Sequence, residues 1–499
     1  MARNISAQPS RALAEFRLLP RLTTPDTVPA KIDLRTPLVT CFQSGRTLRL
    51  GIPIVSAAMQ AVSGSEMGIA MAMQGGAAFL FCSQTVASQA EMVRAIKRHK
   101  AGFVEPRTVP PDMILREVFA LSKKHGFSVF PVVDAERKLL GLIRRDDYDL
   151  TRHGHLPAQE RMVPRARLDV GVEITQLEEA NELLLEGHHS VLPVVDKKGR
   201  LLSLVFKKDI HEHVENPLQV HDEKKRLLAV AAINTHDYEQ RVPALVEAGV
   251  DALAVDSSDG YSFYQRQVLE WIGQRHPGLP VVGGNIVTAA GFDYLVAAGA
   301  GAIKVGMGGG TICITQEQKG TGRGLATAIL DVVEARDRHF EKTGRYVPVI
   351  ADGGVVTAKD VVIALALGAD SVMMGRYFAR MDESPAEKVV VNGRLMKAYW
   401  GEGSARAREW KAARYGQAAF VEGVEGLVDY AGKLADNLPE TLAMVRSSMA
   451  SCGVADIGDL HHNAEMELVS ALSIREGQVH DVVLPRGASA DDSPRSWGD

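Results

Sequence analysis

AIKVGMGGGTICITQEQKGTGRGLAT (302–327) decides how this 499-residue chain is read. It opens as a short apolar run with the β-branched residues Ile303 and Val305, the pattern of a buried strand. The run then breaks at Gly306, Gly308, Gly309 and Gly310, followed by Thr311 and Cys313. Glycines permit positive φ and close approach of backbone to a ligand, so successive N–H or C=O groups there can face an anion or a cation. A cysteine at the mouth of such a turn is a nucleophile where its thiolate is favoured. Taken alone, the segment is equally a glycine-rich turn with a small buried cysteine. Its surroundings have to decide.

Outward from it, the same grammar repeats. VPVIADGG (347–354) and ADSVMMG (369–375) follow as strands, with the helical pattern AKDVVIALALG between them. LLAVAAIN (227–234), DALAVDSS (251–258) and LPVVGGNIV (279–287) come before, each leading into an amphipathic helix. Further back, PIVSA (53–57) and AAFLFC (77–82) are strands, followed by helices over 66–76 and over 88–100, the latter starting at a serine cap. Eight βα units predict an α/β fold, a (β/α)8 TIM barrel; a doubly wound open sheet is the alternative. A barrel places its active residues at the C-terminal ends of the strands. Apolar strands here end in Asn234, Asp256-Ser257-Ser258, Gly283-Gly284-Asn285, Gly306 to Cys313, Asp352-Gly353-Gly354 and Gly375-Arg376, a repeated polarity switch.

Between the second helix and the third strand the rhythm changes. Residues 113–148 and 174–210 are an approximate duplication: an amphipathic helix, a strand ending in PVVD, a polar turn and a second apolar strand. The repeat resembles a tandem pair of CBS domains, which implies a purine nucleotide effector. Asp146, Asp147 and Asp209 could reach a ribose or could equally cap helices. The expected partition is barrel 1–103, insertion 104–217, and barrel 218–499 with a flap at about 398–430 and a disordered polar tail after Leu484.

Composition narrows the class. Hydrophobic content of 46% and charged content of 24% are those of a globular protein. A net charge of -4 gives no bulk attraction to nucleic acid or membrane. Cys41, Cys82, Cys313 and Cys452 form no CxxC or Cys/His zinc pattern, which points to a reducing compartment. No apolar h-region opens the chain and no apolar run approaches the ~18 residues of a span, so a cytoplasmic location with no DNA or membrane partner is expected.

The strand ends suggest chemistry. Glycine amides in 351–354 and 374–376, with Thr311, suit a phosphate monoester at the corner where such barrels bind phosphate. Asp352 can accept two hydrogen bonds from a ribose diol, or cap a helix; Asp256 sits where a second ligand would enter, or forms a turn. No GxGxxG fingerprint is present, so a dinucleotide would not bind in a Rossmann manner.

VGMGGGTICITQ (305–316), DSSDG (256–260), GGNIVT (283–288), IADGG (350–354), VMMGR (372–376) and YWGEGS (399–404) together closely resemble the inosine monophosphate (IMP) dehydrogenase family, including its CBS-bearing insertion. Their wording is most like the subgroup typified by a protozoan parasite enzyme. The resemblance implies NAD-dependent oxidation of IMP to xanthosine monophosphate, the committed step of guanine nucleotide synthesis, with Cys313 as nucleophile. It implies Thr311, Gly353, Gly354, Gly375, Arg376 and Tyr399 around the phosphate, Asp352 on the ribose, and Glu402 with Gly403 at the base edge. Asp256, Ser257, Ser258, Asn285, Gly306, Met307 and Gly308 would line the NAD site. A potassium ion would be held by carbonyls of Gly308, Gly310 and Cys313 and by Glu476, Gly477 and Gln478 of a neighbouring subunit. Hydrolysis of a covalent thioimidate would fall to the flap pair Arg414-Tyr415, with Thr315 and Glu422 as a secondary proton relay; the segment between Tyr415 and Glu422 is short for the family. A homotetramer, pairing as an octamer through the CBS domains, is the implied assembly. Two rivals stand beside this reading. One is GMP reductase, running NADPH-dependent reductive deamination; the other is a non-catalytic nucleotide sensor on the same barrel.

Overall fold

Runs of four buried residues, apolar or small apart from Lys304, make several of the central strands, and a polar or glycine residue stops each one. The computed structural model describes residues 5–6, 8–99, 106–125, 127–174, 177–187, 190–207, 216–407 and 423–479. It divides into two units, Met1–Lys97 with Leu228–Asp499, and Arg98–Leu227.

In chain order, β1 (Phe16–Leu18), the hairpin β2 (Thr36–Cys41) and β3 (Arg46–Leu50), β4 (Ile54–Ser56) and β5 (Ala77–Leu80) precede the second unit. That unit holds β6 (Val129–Val133), β7 (Leu139–Arg144), β8 (Val163–Pro164), β9 (Gly171–Val172), β10 (Val191–Val195) and β11 (Leu201–Phe206). The first unit then resumes with β12 (Val230–Ile233), β13 (Ala252–Val255), β14 (Val281–Ile286), β15 (Ala302–Val305), β16 (Val349–Asp352) and β17 (Ser371–Met374). After these come β18 (Lys388–Val391), β19 (Arg394–Trp400), β20 (Glu425–Asp429) and β21 (Met466–Leu468).

Eight parallel strands close into a barrel in the order β12-β13-β14-β15-β16-β17-β4-β5. The two strands read before the insertion therefore lie between β17 and β12, and the doubly wound alternative falls. Closure leaves no free sheet edge. The β2–β3 hairpin packs at the N-terminal end: Thr40 N–H donates to Gly301 O at 3.0 Å, and Thr36 Oγ1 to Asp370 O at 2.7 Å. Gly301 is required there, because a Cβ would sit 1.8 Å from Thr40 O. Beneath β17, buried Asp370 accepts from Tyr346 Oη at 2.8 Å and Val349 N at 2.8 Å, with Arg336 alongside. Burial pushes the Asp370 carboxyl upward against the pull of Arg336.

The helix expected over 88–100 runs Val86–Arg98 instead, so Ser88 is not its cap. Thr85 takes that place, its Oγ1 accepting from Ser88 N at 3.2 Å. Among the described residues no helix is long and apolar enough to cross a membrane.

The second unit contains two three-stranded sheets, β6-β7-β8 and β9-β10-β11. Both hairpins carry an irregularity at the same place, Val132/Val133 and Val194/Val195. Both PVVD aspartates turn the chain: Asp134 Oδ1 accepts from Glu136 N and Lys138 N, and Asp196 Oδ1 from Lys198 N and Arg200 N. Val133, Leu139 and Leu142 share one core with Val191, Val195 and Leu201, so the two copies fold as one body. Asp147 accepts from Arg144 N at 2.6 Å, which is the capping alternative for this acid; Asp209 lies outside the described residues.

Candidate active site

The glycine loop after β15 is shaped by one close approach. Gly306 has φ +135°, and a Cβ on it would lie 1.9 Å from the Asp352 carbonyl on neighbouring β16. Only glycine lets the loop leave the barrel at that point. Gly308 follows at φ +75°, and the turn closes with Cys313 N–H donating to Gly310 O at 3.1 Å. Ile312 O then accepts from Val424 N at 3.2 Å, and Val424 O from Gly401 N at 3.1 Å. The cysteine loop is thereby tied to the loop after β19. Cys313 is half-buried, with Sγ 3.1 Å from Thr315 Oγ1, close enough for that hydroxyl to share a proton with the sulfur.

Beside the sulfur lies a buried ionic group. Lys304 points from β15 to Asp352 on β16, Nζ to Oδ2 at 3.0 Å, with the side chains 6% and 20% exposed. Asn285 Nδ2 donates to the same Oδ2 at 2.9 Å and to Gly306 O at 2.8 Å, while its buried Oδ1 meets no protein partner. A desolvated carboxylate needs such compensation, and Lys304 and Asn285 supply it from two sides. Asp352 is no helix cap. The following helix, Ala358–Ala366, is capped by Thr357 and Asp360 in a reciprocal box.

Gly353 and Gly354 turn at φ +100° and +76° beside Gly309 and Gly310. Gly375 ends β17, and a Cβ on it would lie 2.9 Å from Tyr399 Oη. Burial, reinforced by the Asp352 charge, drives the Tyr399 phenol upward, so it remains neutral and able to donate. Glu402 accepts from Gln60 N at 2.6 Å and from Ser83 Oγ.

These groups converge. One cavity at the C-terminal mouth is lined by Thr311, Cys313, Thr315, Asp352, Gly353, Gly354, Gly375, Arg376, Tyr399, Glu402 and Gly403, and also by Asp256, Ser257, Ser258 and Asn285. A second, overlapping cavity adds Gly306, Met307, Gly308 and Gly309 and shares Ser258, Asn285, Gly310, Cys313, Thr315, Asp352 and Gly353 with the first. Cys313 thus lines both spaces. Glu476, Gly477 and Gln478 line neither; they end the helix Ala471–Glu476, beside Arg17. Arg414, Tyr415 and Glu422 lie outside the described residues. Sequence reading passed over Lys304, Met59, Gln60 and Ser83. A lysine inside the apolar run AIKV was a usable signal, since a charge buried in a strand needs a partner; nothing local marked the other three.

A closed βα barrel with a thiol, an acid–lysine pair and glycine turns meeting at its C-terminal mouth defines a class of barrel protein with a two-chambered cysteine site. A family model described as IMP dehydrogenase / GMP reductase domain matches residues 12–480. The inosine-5'-monophosphate dehydrogenase of Tritrichomonas foetus is 46% identical over 489 residues, covering 96% of this chain and 97% of its own. That of Escherichia coli K12 is 37% identical over 471 residues, covering 92% and 93%. A crystal structure of a cysteine-to-alanine GMP reductase from Trypanosoma brucei, in complex with guanosine 5'-monophosphate, aligns with a TM-score of 0.81 at 29% identity over 96% of this chain and 99% of that one. The chain belongs to the IMP dehydrogenase / GMP reductase family.

Proposed function

We propose that this chain oxidises IMP to xanthosine monophosphate with NAD as hydride acceptor. The observation that carries the reading is the position of Cys313 at the junction of two cavities, with Thr315 Oγ1 at 3.1 Å. A purine nucleotide held in the first cavity and a nicotinamide reaching between Asp256 and the Gly306-Met307-Gly308 turn would meet at Cys313.

In this reading glycine amides of Gly353, Gly354 and Gly375, with Thr311, Arg376 and Tyr399, hold the phosphate, and Asp352 accepts from the ribose diol. Glu402 and Gly403 fix the base edge. The Cys313 thiolate adds to C2 of the purine, and the ring nitrogen beside it takes up a proton. NAD, when bound along Asp256, Ser257, Ser258, Asn285 and the Gly306-Met307-Gly308 turn, supplies the acceptor for the C2 hydride. The unpartnered Asn285 Oδ1, able to accept one more hydrogen bond, suits an amide-bearing ligand there. Water then attacks C2 of the thioimidate, the C2–S bond breaks, and the sulfur leaves as thiolate. By the family pattern Arg414 and Tyr415 activate that water, with Thr315 and Glu422 as a second proton route.

The carbonyls of Gly308, Gly310 and Cys313 offer hard, neutral oxygens, a donor set suited to potassium. By the family pattern Glu476, Gly477 and Gln478 of a neighbouring copy would complete the shell of that ion, within a homotetramer. The duplicated unit is read as a CBS pair binding a purine nucleotide, through which tetramers could pair.

The 46% identity to a dehydrogenase, against 29% to a reductase structure, favours oxidation over reductive deamination. The test is spectrophotometric. With IMP and NAD, near-ultraviolet absorbance of NADH should rise; with GMP and NADPH it should stay constant. NADPH consumption with GMP, and no NADH from IMP, would assign the reductase instead. Silence in both assays, with nucleotide binding intact, would favour the sensor.

A further inference from the structure

The glycine loop after β15 runs out through Met307 and Gly308 and returns through Gly322 and Arg323, and Met307 and Arg323 pair as an antiparallel bridge. The returning limb is fixed from outside the loop. Arg323 Nη1 donates to Val287 O, just past β14, at 2.7 Å and to Asp331 Oδ2 at 2.7 Å. Between the two limbs lies one side chain. Gln316 belongs to the short helix Thr315–Lys319, which begins two residues after Cys313. A Cβ on Gly308 or on Gly322 would run into the Cγ of Gln316, so glycine at both places makes room for this stem. At its end, Nε2 donates to Met307 O at 3.1 Å. Gln316 is absent from the lining of both cavities, whereas Met307 and Gly308 line the second. It therefore acts on a ligand there only through the turn.

We infer that Gln316 is a positioning residue for the nicotinamide half of NAD. The inference rests on the proposed placement of nicotinamide beside the Gly306-Met307-Gly308 turn. A peptide unit is planar and trans, so its C=O and the N–H that follows point in opposite directions. By holding Met307 O, Gln316 fixes the direction of the Gly308 N–H as well. Glycine leaves that peptide freer to rotate than any other residue would, and Gln316 supplies the restraint. Because Gln316 directly follows Thr315, the same short helix carries the neighbour of the Cys313 sulfur and the side chain that sets the turn. Nucleophile and nicotinamide would thus be kept in register by one element.

The test uses the full-length protein with two variants. Gln316→Met keeps the stem and removes the donor; Gln316→Glu sets a carboxylate oxygen against the Met307 carbonyl. Gln316→Met should raise KM for NAD by about fivefold, the worth of one neutral hydrogen bond, with KM for IMP within about twofold. Gln316→Glu should raise KM for NAD further. The inhibition constant of ADP-ribose, which is NAD without the nicotinamide, should be unchanged in both. An unchanged KM for NAD in both variants would overturn the inference. Equal weakening of NAD and ADP-ribose, or of NAD and IMP, would overturn it too, since that marks general damage to the loop. Failure of the parent protein to reduce NAD with IMP would instead remove the dehydrogenase reading, so the two failures are separable.

Discussion

At the scale of the residue, the site separates what reacts from what aims. In the proposed reaction Cys313 and Thr315 form the reactive pair, their side chains 3.1 Å apart. Lys304 never needs to touch a reacting atom, yet it anchors Asp352, which lies one strand away on the same barrel mouth. Removing one partner of a buried ion pair strands the other charge, which is more damaging than losing the attraction itself. Lys304→Met should therefore destabilise the barrel by about 3 kcal/mol. It should also raise KM for IMP by at least about tenfold, read by thermal unfolding and initial-rate kinetics. Normal KM with normal melting would show that Asn285 alone orients Asp352. Lys304 was legible in the sequence as an anomaly, a cation in AIKV. Ser83 and Gln60 were not, because a neutral polar residue at a strand end is indistinguishable from an ordinary loop residue until the fold brings its partner near.

At the scale of the element, the glycine loop is the feature on which the geometry turns. Gly306 leaves β15 in a conformation and at a distance that no side chain tolerates, with a Cβ contact of 1.9 Å to the Asp352 carbonyl. Gly306→Ala should shift the loop carrying Cys313 and lower kcat/KM by roughly 100-fold, the cost typical of an ångström-scale misplacement. Far-ultraviolet circular dichroism should stay unchanged, because β15 itself ends at Val305. Activity within a few-fold of the parent would mean that the loop does not depend on that approach. The spacing of the glycines made the turn readable. Which glycine bears the steric load emerged only from the pairing of β15 with β16. The serine cap expected at 88 failed for a related reason: Thr85, three residues earlier, offers an equivalent hydroxyl, and local pattern cannot rank two adjacent caps.

At the scale of the whole molecule, the barrel was legible because each strand is a short apolar run ended by a polarity switch, and eight such runs have one common closed solution. The β2–β3 hairpin, the β18-β19-β20 sheet and the β1–β21 pair were not read, since isolated antiparallel pairs carry little periodic signal beside turns and charged residues. Their contribution is positional: β19 and β20 bring Tyr399, Glu402 and residues 423–424 onto the cysteine loop. The duplicated PVVD segments were visible as a repeat, and their shared turn chemistry explains why the aspartate recurs.

The most direct measurement is mass spectrometry of acid-quenched protein, taken within one turnover of mixing with IMP and NAD. The peptide bearing Cys313 should gain the mass of IMP less two hydrogens, as a thioimidate requires. Cys313→Ala should bind IMP, form no adduct and release no NADH. Turnover by the parent with no adduct on that peptide, or NADH formation by Cys313→Ala, would contradict covalent catalysis at this sulfur.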